Sequence, residues 1–295
     1  MTAWLKSSIA SNANLVMPHL KLILSTVLAL VLSACGGGTG FPPTITGVKP
    51  QSLMYGKTAT IYLGGKDLRS SLVVESNGAC INPSFASNST TDTLVLNCLV
   101  KQAGDFVLTV KSDTGAVVYT GTLTVPNPQV VLVVAEGDVN LGNIVVELDP
   151  VAAPITVNNF LNYANNGFYR STLFHRVISG FMIQGGGFTT GMAKKTGQGA
   201  PIVSESTNGL SNVRGSIAMA RMDDKDSATS EFYINHVDNL YLDYSAASAG
   251  YTVFGKVVQG MEVVDTIAGK ATGFFNGYAN VPLADVTITG ALQVK

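Results

Sequence analysis

The sequence is poor in charge. Charged residues make up 13% of its 295 residues, and 18 Lys and Arg against 19 Asp and Glu leave a net charge of −1. Soluble domains usually carry about 25% charged residues. Proteins that bind nucleic acid or an anionic membrane surface depend on clustered positive charge, which this composition does not offer. We therefore expect no nucleic-acid partner.

Cysteine is also scarce, with three residues: Cys35, Cys80 and Cys98. They form no CxxC pair and have no neighbouring histidine, so the sequence predicts no metal site. We find no motif that requires a cofactor. If Cys35 has a separate role, Cys80 and Cys98 form either one disulfide or two buried thiols. We expect the disulfide, because both lie in one small predicted domain.

The longest apolar run, residues 20–32, is too short to span a membrane comfortably as a helix, which takes about 20 residues. It suits the apolar core of a signal peptide. The run ends in Leu32-Ser33-Ala34-Cys35, which resembles the lipobox of bacterial lipoproteins. The alternative, a buried cysteine after a core helix, would require a polar helical face that the run lacks.

The lipobox resemblance implies a signal peptide over residues 1–34, with Met17 as a second possible start. It also implies a lipid on Cys35 and a glycine-rich tether over residues 35–40. The protein would then be anchored in the bacterial cell envelope and face the periplasm. Gly36 after the cysteine favours the outer membrane under the sorting rule of enterobacterial lipoproteins.

Residues 41–125 alternate between apolar and polar positions, and turn signals such as Asn77-Gly78 separate the runs. Short strands at this spacing predict an antiparallel β-sandwich. The stretch from Pro43 to Leu68 resembles the opening of IPT/TIG immunoglobulin-like domains. No catalytic pattern is visible here, so we expect a spacer or a weak binding module. Residues 126–129, with two prolines, form a predicted linker.

The remaining residues, 130–295, predict many short strands and two helices. One helix begins near Pro154, and its apolar residues recur at helical spacing. The second helix runs from Met261 to Ala268. Strands outnumber helices, so we predict a mainly β fold, a closed antiparallel β-barrel with two helices, preceded by the immunoglobulin-like sandwich.

One motif in this region carries the functional prediction. Residues 174–186 read FHRVISGFMIQGG, which resembles the cyclophilin signature F-H-R-V-I-x-x-F-M-I-Q-G-G at every fixed position. Later blocks of the family match in order at residues 215–221, 230–235 and 253–257. The resemblance spans residues 130–295 and is strongest to periplasmic bacterial members, which share the block at 224–230. It implies a peptidyl-prolyl cis-trans isomerase, or rotamase.

The resemblance also implies roles for individual residues. Arg176 would donate a hydrogen bond to the prolyl nitrogen, and Gln184 would orient the arginine and the substrate. The other positions that match substrate-binding positions of the family are Phe181, Met182, Ala220, Arg221, Glu231, Tyr233, Tyr241, Leu242 and Tyr251.

Four of these residues depart from what is common in the family. Tyr233 replaces the usual Phe, which we expect to bring a hydroxyl to the rim of the proline pocket. Glu231 replaces Gln and brings a carboxylate near the site. Tyr241 replaces the Trp of cyclosporin-sensitive members, and Tyr251 replaces the His of many eukaryotic ones. His236 has no carboxylate partner at motif spacing, so we expect it on the surface or in a loop.

The sequence supports three hypotheses. The first is an isomerase that acts on proline-containing polypeptides and assists protein folding in the cell envelope, without a cofactor. The second is a lipid-anchored module that binds a proline loop with little turnover. The third is a structural envelope lipoprotein with a degenerate barrel, against which the complete signature argues.

Overall fold

The computed structural model describes residues 41–295. The predicted signal peptide, Cys35 and the tether lie outside the described residues. The described part is mainly β with two α-helices, as the sequence predicts. None of its helices is both long and apolar enough to cross a bilayer.

The first seven strands form two antiparallel sheets, with orders β1-β2-β5-β4 and β3-β6-β7. Their bounds are β1 Thr44–Pro50, β2 Thr58–Lys66, β3 Val73–Glu75, β4 Cys80–Phe85, β5 Thr93–Val100, β6 Gly104–Lys111 and β7 Val117–Val125. Successive side chains of a strand point to opposite faces, so alternation buries one set. Ile61 and Leu63 of β2 and Leu108 and Val110 of β6 are fully buried in one core.

Two neighbouring strands of the first sheet carry Cys80 and Cys98. Their Cα atoms lie 5.4 Å apart and a disulfide joins them. Both residues are buried. The bond therefore links β4 to β5 within the core of this part of the molecule.

The rest of the chain builds a nine-stranded antiparallel sheet of order β10-β20-β8-β9-β17-β15-β16-β12-β11. Two short hairpins, β13–β14 and β18–β19, lie outside it. The strands are β8 Gln129–Glu136, β9 Val139–Leu148, β10 Thr172–Leu173, β11 Arg176–Ile178, β12 Met182–Gly185, β13 Phe188–Thr189, β14 Ala193–Lys194, β15 Ser216–Met219, β16 Phe232–Asn235, β17 Val253–Gln259, β18 Thr272–Phe275, β19 Tyr278–Pro282 and β20 Val286–Gln293.

The sheet is a half-barrel, so the predicted closed barrel is wrong. Its two ends, β10 and β11, follow one another in the chain, yet in residues 41–295 no strand pairing joins them. The reason lies in their hydrogen bonds. Phe174, just after β10, still donates to Val286 O at 2.8 Å, whereas Arg176 already pairs with Gln184 in β12. Phe174 and Arg176 thus belong to different strand pairings, and the sheet stays open between them.

Helix α1, Pro154–Asn165, packs its apolar face on this sheet. The ring of Phe160 lies 5.2 to 5.5 Å from those of Tyr169, Phe232 and Phe254. The first amides of the helix have no partner within it, and the carboxylate of Glu205 accepts two of them at 2.8 and 2.9 Å. Helix α2, Met261–Ala268, follows β17.

Residues 41–295 form one compact unit. Gln293 of β20 donates to the carbonyl oxygen of Tyr55 at 2.9 Å, and one buried core includes residues from both predicted domains. The domain boundaries at 125–126 and 129–130 stay predictions.

Candidate active site

Three adjacent strands bring the motif residues together. The hairpin of β11 and β12 sets Arg176 opposite Gln184, and the pairing of β12 with β16 sets Gln184 opposite Tyr233. Residues that face each other across an antiparallel pair project on the same side. The turn of this hairpin contains Gly180 at φ +71°, a conformation that suits glycine.

These strands line an open cleft of about 190 Å³ on the outer face of the sheet. Nine of the predicted site residues border it: Arg176, Phe181, Met182, Gln184, Ala220, Arg221, Tyr233, Leu242 and Tyr251. The floor is a small apolar cluster separate from the main core, with Met182, Ala218, Tyr233 and Val253 at its centre. The cleft therefore joins an apolar floor to a half-buried arginine.

Two predicted residues stand outside this cleft. Tyr241 is 70% exposed, and its ring stacks on that of Phe181 with centroids 6.1 Å apart. Glu231 lines a neighbouring cavity that shares Arg176 and Gln184 with the cleft. Each of the two therefore contacts a residue that lines the cleft, Phe181 or Gln184, without lining the cleft itself.

A chain of hydrogen bonds leads from Arg176 into the protein. Arg176 Nη1 donates to Gln184 Oε1 at 3.3 Å, and Gln184 Nε2 donates to Glu231 Oε2 at 2.9 Å. His175 Nε2 lies 3.2 Å from the same carboxylate oxygen. An ionised carboxylate only accepts hydrogen bonds, so Glu231 fixes the Gln184 amide with its oxygen toward the arginine.

The surroundings of Glu231 favour its ionised form. Burial alone would raise the pKa of this carboxyl group. The hydrogen bond and charge of His175, followed by the hydrogen bond from Gln184, outweigh burial and hold the pKa below its ordinary value. The Glu231 carboxylate therefore stays available as an acceptor.

Tyr233 presents its ring to the cleft, and its hydroxyl is bound by a loop residue. The hydroxyl donates to Asn212 Oδ1 at 2.7 Å and is buried. Burial, followed by the nearby Tyr251 and Asp243, raises the pKa of Tyr233 well above its ordinary value. The hydroxyl is thus not at the pocket rim, and the position predicted from the sequence is wrong.

Arg221 is held by the protein itself. Its Nε donates to Gly250 O at 3.0 Å, and its guanidinium lies 4.6 Å from the centroid of the Tyr251 ring. A cation over an aromatic face is an attractive arrangement. These contacts fix one wall of the cleft and leave the Arg221 side chain little freedom.

Sequence reasoning missed the supports of the cleft. Asn212 accepts from both Tyr233 and Asn235, and Asn239 Nδ2 donates to Phe181 O at 2.9 Å. His236, expected on the surface or in a loop, lies in the loop after β16. Its side chain is mostly buried and lies 3.3 Å from the carboxylate of Asp265 in α2. Isolated asparagines, and partners on different elements, leave no pattern along the chain.

Metal ions have no candidate site in residues 41–295. No group of three or more His, Cys, Asp or Glu side chains in this part of the chain is placed to hold one. What the cleft offers is a charged donor, an amide and an apolar floor.

The family model described as cyclophilin type peptidyl-prolyl cis-trans isomerase/CLD matches residues 132–292. The chain belongs to this family. The match spans the nine-stranded sheet and the cleft, and it leaves the seven strands of residues 44–125 outside. The family assignment therefore describes the second part of the molecule.

Curated relatives agree with this assignment. Peptidyl-prolyl cis-trans isomerase of Acinetobacter baylyi is 53% identical over 156 residues, which are 53% of this chain and 82% of that protein. Peptidyl-prolyl cis-trans isomerase A of Dickeya dadantii is 51% identical over 154 residues, 52% of this chain and 80% of that protein. Isomerase B of Escherichia coli is 52% identical over 152 residues, 50% and 92% of the two chains.

A solved cyclophilin from Cryptosporidium parvum, crystallised in the presence of the dipeptide Ala-Pro, is 26% identical to this chain. The likeness has a TM-score of 0.48 and covers 57% of this chain and 99% of that one.

Such identity to bacterial isomerases establishes the activity: the protein is a peptidyl-prolyl cis-trans isomerase.

Proposed function

We propose that the cleft beside Arg176 binds a proline residue and lowers the barrier to rotation about the preceding peptide bond. The observation that carries this proposal is the pairing of a half-buried arginine with an apolar floor in one cleft. Phe181, Met182 and Leu242 would hold the proline ring. Arg176, whose guanidinium lies 5.9 Å from the centroid of the Phe181 ring, would point at the prolyl nitrogen.

The energetics fit such an arrangement. Resonance in the amide sets a barrier of ~18–20 kcal/mol. A thousandfold acceleration requires ~4 kcal/mol of transition-state stabilisation. A hydrogen bond from Arg176 to the prolyl nitrogen, formed as that nitrogen leaves conjugation, would contribute ~1.5–3 kcal/mol. Positioning of the substrate by the apolar floor and Gln184 would supply the rest.

A peptide titration tests the location of the site. Residues 36–295, labelled with ¹⁵N, are mixed with a blocked peptide that contains Ala-Pro or with its Ala-Ala counterpart. We expect the amides of Met182, Gln184 and Ala220 to shift with the proline peptide only. Shifts centred instead on the separate cavity lined by Asn127 and Lys256 would place the substrate elsewhere.

We further propose that the protein is a lipoprotein of the bacterial cell envelope. The apolar run of residues 20–32, the lipobox at Cys35 and the bacterial relatives support this location. The substrates would then be proline-containing segments of exported proteins that fold in the periplasm. Labelling with radioactive palmitate should mark the wild type in the outer-membrane fraction, and Cys35→Ser should carry no label and be absent from that fraction.

Residues 41–125 we assign to an IPT/TIG-like immunoglobulin domain that acts as a spacer or weak binding module, joined by residues 126–129 to the isomerase domain, 130–295. Its four-stranded and three-stranded antiparallel sheets support the assignment. None of its residues lines the cleft. A chain of residues 126–295 should therefore isomerise short peptides at the rate of residues 36–295, and loss of activity in a folded fragment would contradict this role.

A further inference from the structure

His236 lies directly behind the turn that presents Phe181 to the cleft. The backbone N–H of Gly180 donates to His236 Nδ1 at 3.1 Å. The backbone N–H of His236 donates in turn to Phe181 O at 2.9 Å. Asn239 adds a second donor to the same oxygen, also at 2.9 Å. One segment, residues 236–239, thus holds the turn of the β11–β12 hairpin through three hydrogen bonds.

Only one of these three bonds involves an ionisable side chain, the imidazole of His236. An imidazole nitrogen that accepts a hydrogen bond carries no proton, so the bond from Gly180 requires an unprotonated Nδ1. The other ring nitrogen, Nε2, lies 3.3 Å from Asp265 Oδ1 and carries the proton in the neutral ring. The geometry therefore selects the neutral His236 with its proton on Nε2.

Of the charged groups around the ring, some favour a protonated imidazole and others oppose it. The Asp265 carboxylate in α2 attracts a protonated imidazole, and Arg214 occupies that same carboxylate with two contacts of 2.8 Å. Arg214, from the loop before β15, also donates through Nη1 to the carbonyl oxygen of His236. Asp238, on the segment of His236 itself, accepts the backbone N–H of Arg214 at 2.7 Å.

The Arg214 hydrogen bond is the main reason that the pKa of Asp265 lies below its ordinary value, with smaller contributions from its charge and from His236. Asp265 therefore stays ionised throughout the range in which imidazoles titrate, between about pH 5 and 8. A change of charge among His236, Asp265 and Arg214 at those pH values would therefore be a change on the His236 imidazole.

We propose that His236 is a positioning residue of the isomerase: in its neutral form it holds the Gly180–Phe181 turn, and its protonation releases that turn and lowers activity. A protonated Nδ1 is a donor, and it would face the Gly180 N–H, which is also a donor. The two cannot bond, so the turn keeps only the two bonds to Phe181 O. This inference rests on the proposed role of Phe181 in binding the proline ring.

The expected size follows from the loss of one hydrogen bond. Such a bond shifts an equilibrium by about threefold to tenfold. The equilibrium constant between the correctly placed and the displaced Phe181 should fall by that factor on acidification, and kcat/KM should fall by at most the same factor. The activity is fully present when His236 is neutral and declines as the imidazole gains its second proton.

The test compares pH profiles of the wild type, His236→Asn and His236→Ala. Exchange of a blocked Xaa-Pro peptide without ionisable groups is followed by NMR between pH 8 and 5.5, so only the enzyme titrates. Asn carries an acceptor oxygen at the place of Nδ1 but does not titrate, whereas Ala has no acceptor. Circular dichroism at each pH verifies that every variant is folded.

For the wild type we expect kcat/KM to fall from pH 8 to 5.5, by up to about tenfold. We expect a flat profile for His236→Asn, and a flat, lower profile for His236→Ala. In the ¹⁵N-labelled wild type, hydrogen exchange of the Gly180 amide, corrected for intrinsic pH dependence, should accelerate over the same pH range.

The same pH-dependent fall in the wild type and in His236→Asn would overturn the inference, because a group other than His236 would then account for it. A flat wild-type profile would overturn it as well. A Phe181→Ala variant distinguishes failure of the proposed role of Phe181 from failure of the inference about His236. If it keeps full activity, the role of Phe181 fails along with this inference. If it loses activity while wild type and His236→Asn share one profile, only the inference about His236 fails.

Discussion

Among single residues, Glu231 lies beside the cleft, where it binds Gln184, and its pKa is lowered. Its carboxylate is more stable in the folded chain than in the unfolded one, because His175 and Gln184 bind it. A group whose pKa is lowered by folding contributes stability above its unfolded pKa, about 4.3 for Glu. That stability disappears as the pH falls through the folded pKa.

The substitution Glu231→Gln isolates this contribution, since glutamine has the same shape and no charge. We expect the wild type to be more stable than the variant at pH 6, and the difference to shrink as the pH drops below about 4. Urea unfolding at pH 6, 5, 4 and 3 measures it. A stability difference that stays constant or grows toward pH 3 would show that the carboxylate is not stabilised by its neighbours.

Tyr233 supplies a second prediction for a single residue. Tyr233→Phe removes the hydrogen bond to Asn212 but leaves the ring on the floor of the cleft. We expect a loss of about 1 kcal/mol in the free energy of unfolding, with kcat/KM within about twofold of wild type. A variant with full stability and a large loss of activity would mean that the hydroxyl touches the substrate.

At the scale of elements, the β11–β12 hairpin explains how much of the cleft the sequence predicts. The family motif is continuous along this hairpin, and alternation with a period of two sets Arg176 and Gln184 side by side. The resemblance therefore located most of the cleft. The half-barrel was missed, because closure depends on which strand takes the hydrogen bonds at β10 and β11.

Contacts between elements account for the other omissions. Asp265 in α2 reaches His236, and Glu205 caps α1 although it lies far from that helix in the chain. Neither pair has a fixed spacing, so no local pattern predicts it. The position of Tyr233 in the pocket was predicted from the resemblance, but the direction of its hydroxyl depends on Asn212, which lies in a loop.

The start of α2 provides a test of packing between elements. Gly260 precedes the helix at φ +89°, and a Cβ atom there would collide with the backbone of Asn143. Gly197 has the same φ, but a Cβ would meet nothing within 4 Å. We expect Gly197→Ala to cost about 1–2 kcal/mol of stability. Gly260→Ala should cost clearly more, as measured by urea unfolding, and equal losses would contradict this packing.

For the whole molecule, the disulfide and the cleft lie in different parts of one compact unit. Cys80 and Cys98 are separated by 18 positions. A crosslink over a loop of this size stabilises a fold by about 3 kcal/mol in the chain-entropy model. Reduction should therefore lower the free energy of unfolding by roughly that amount and leave kcat/KM of the folded protein unchanged. Equal stability with and without reductant would show that the two thiols are not joined.

The central claim is that Arg176 drives the isomerisation, and it is tested most directly by cis-trans exchange of a short Xaa-Pro peptide. The proteins are residues 36–295 of the wild type and of Arg176→Ala, with Arg69→Ala as a control arginine outside the cleft. We predict that the wild type and Arg69→Ala accelerate exchange equally, and that Arg176→Ala is slower by about tenfold to a hundredfold. Equal rates for folded Arg176→Ala and wild type would contradict the account.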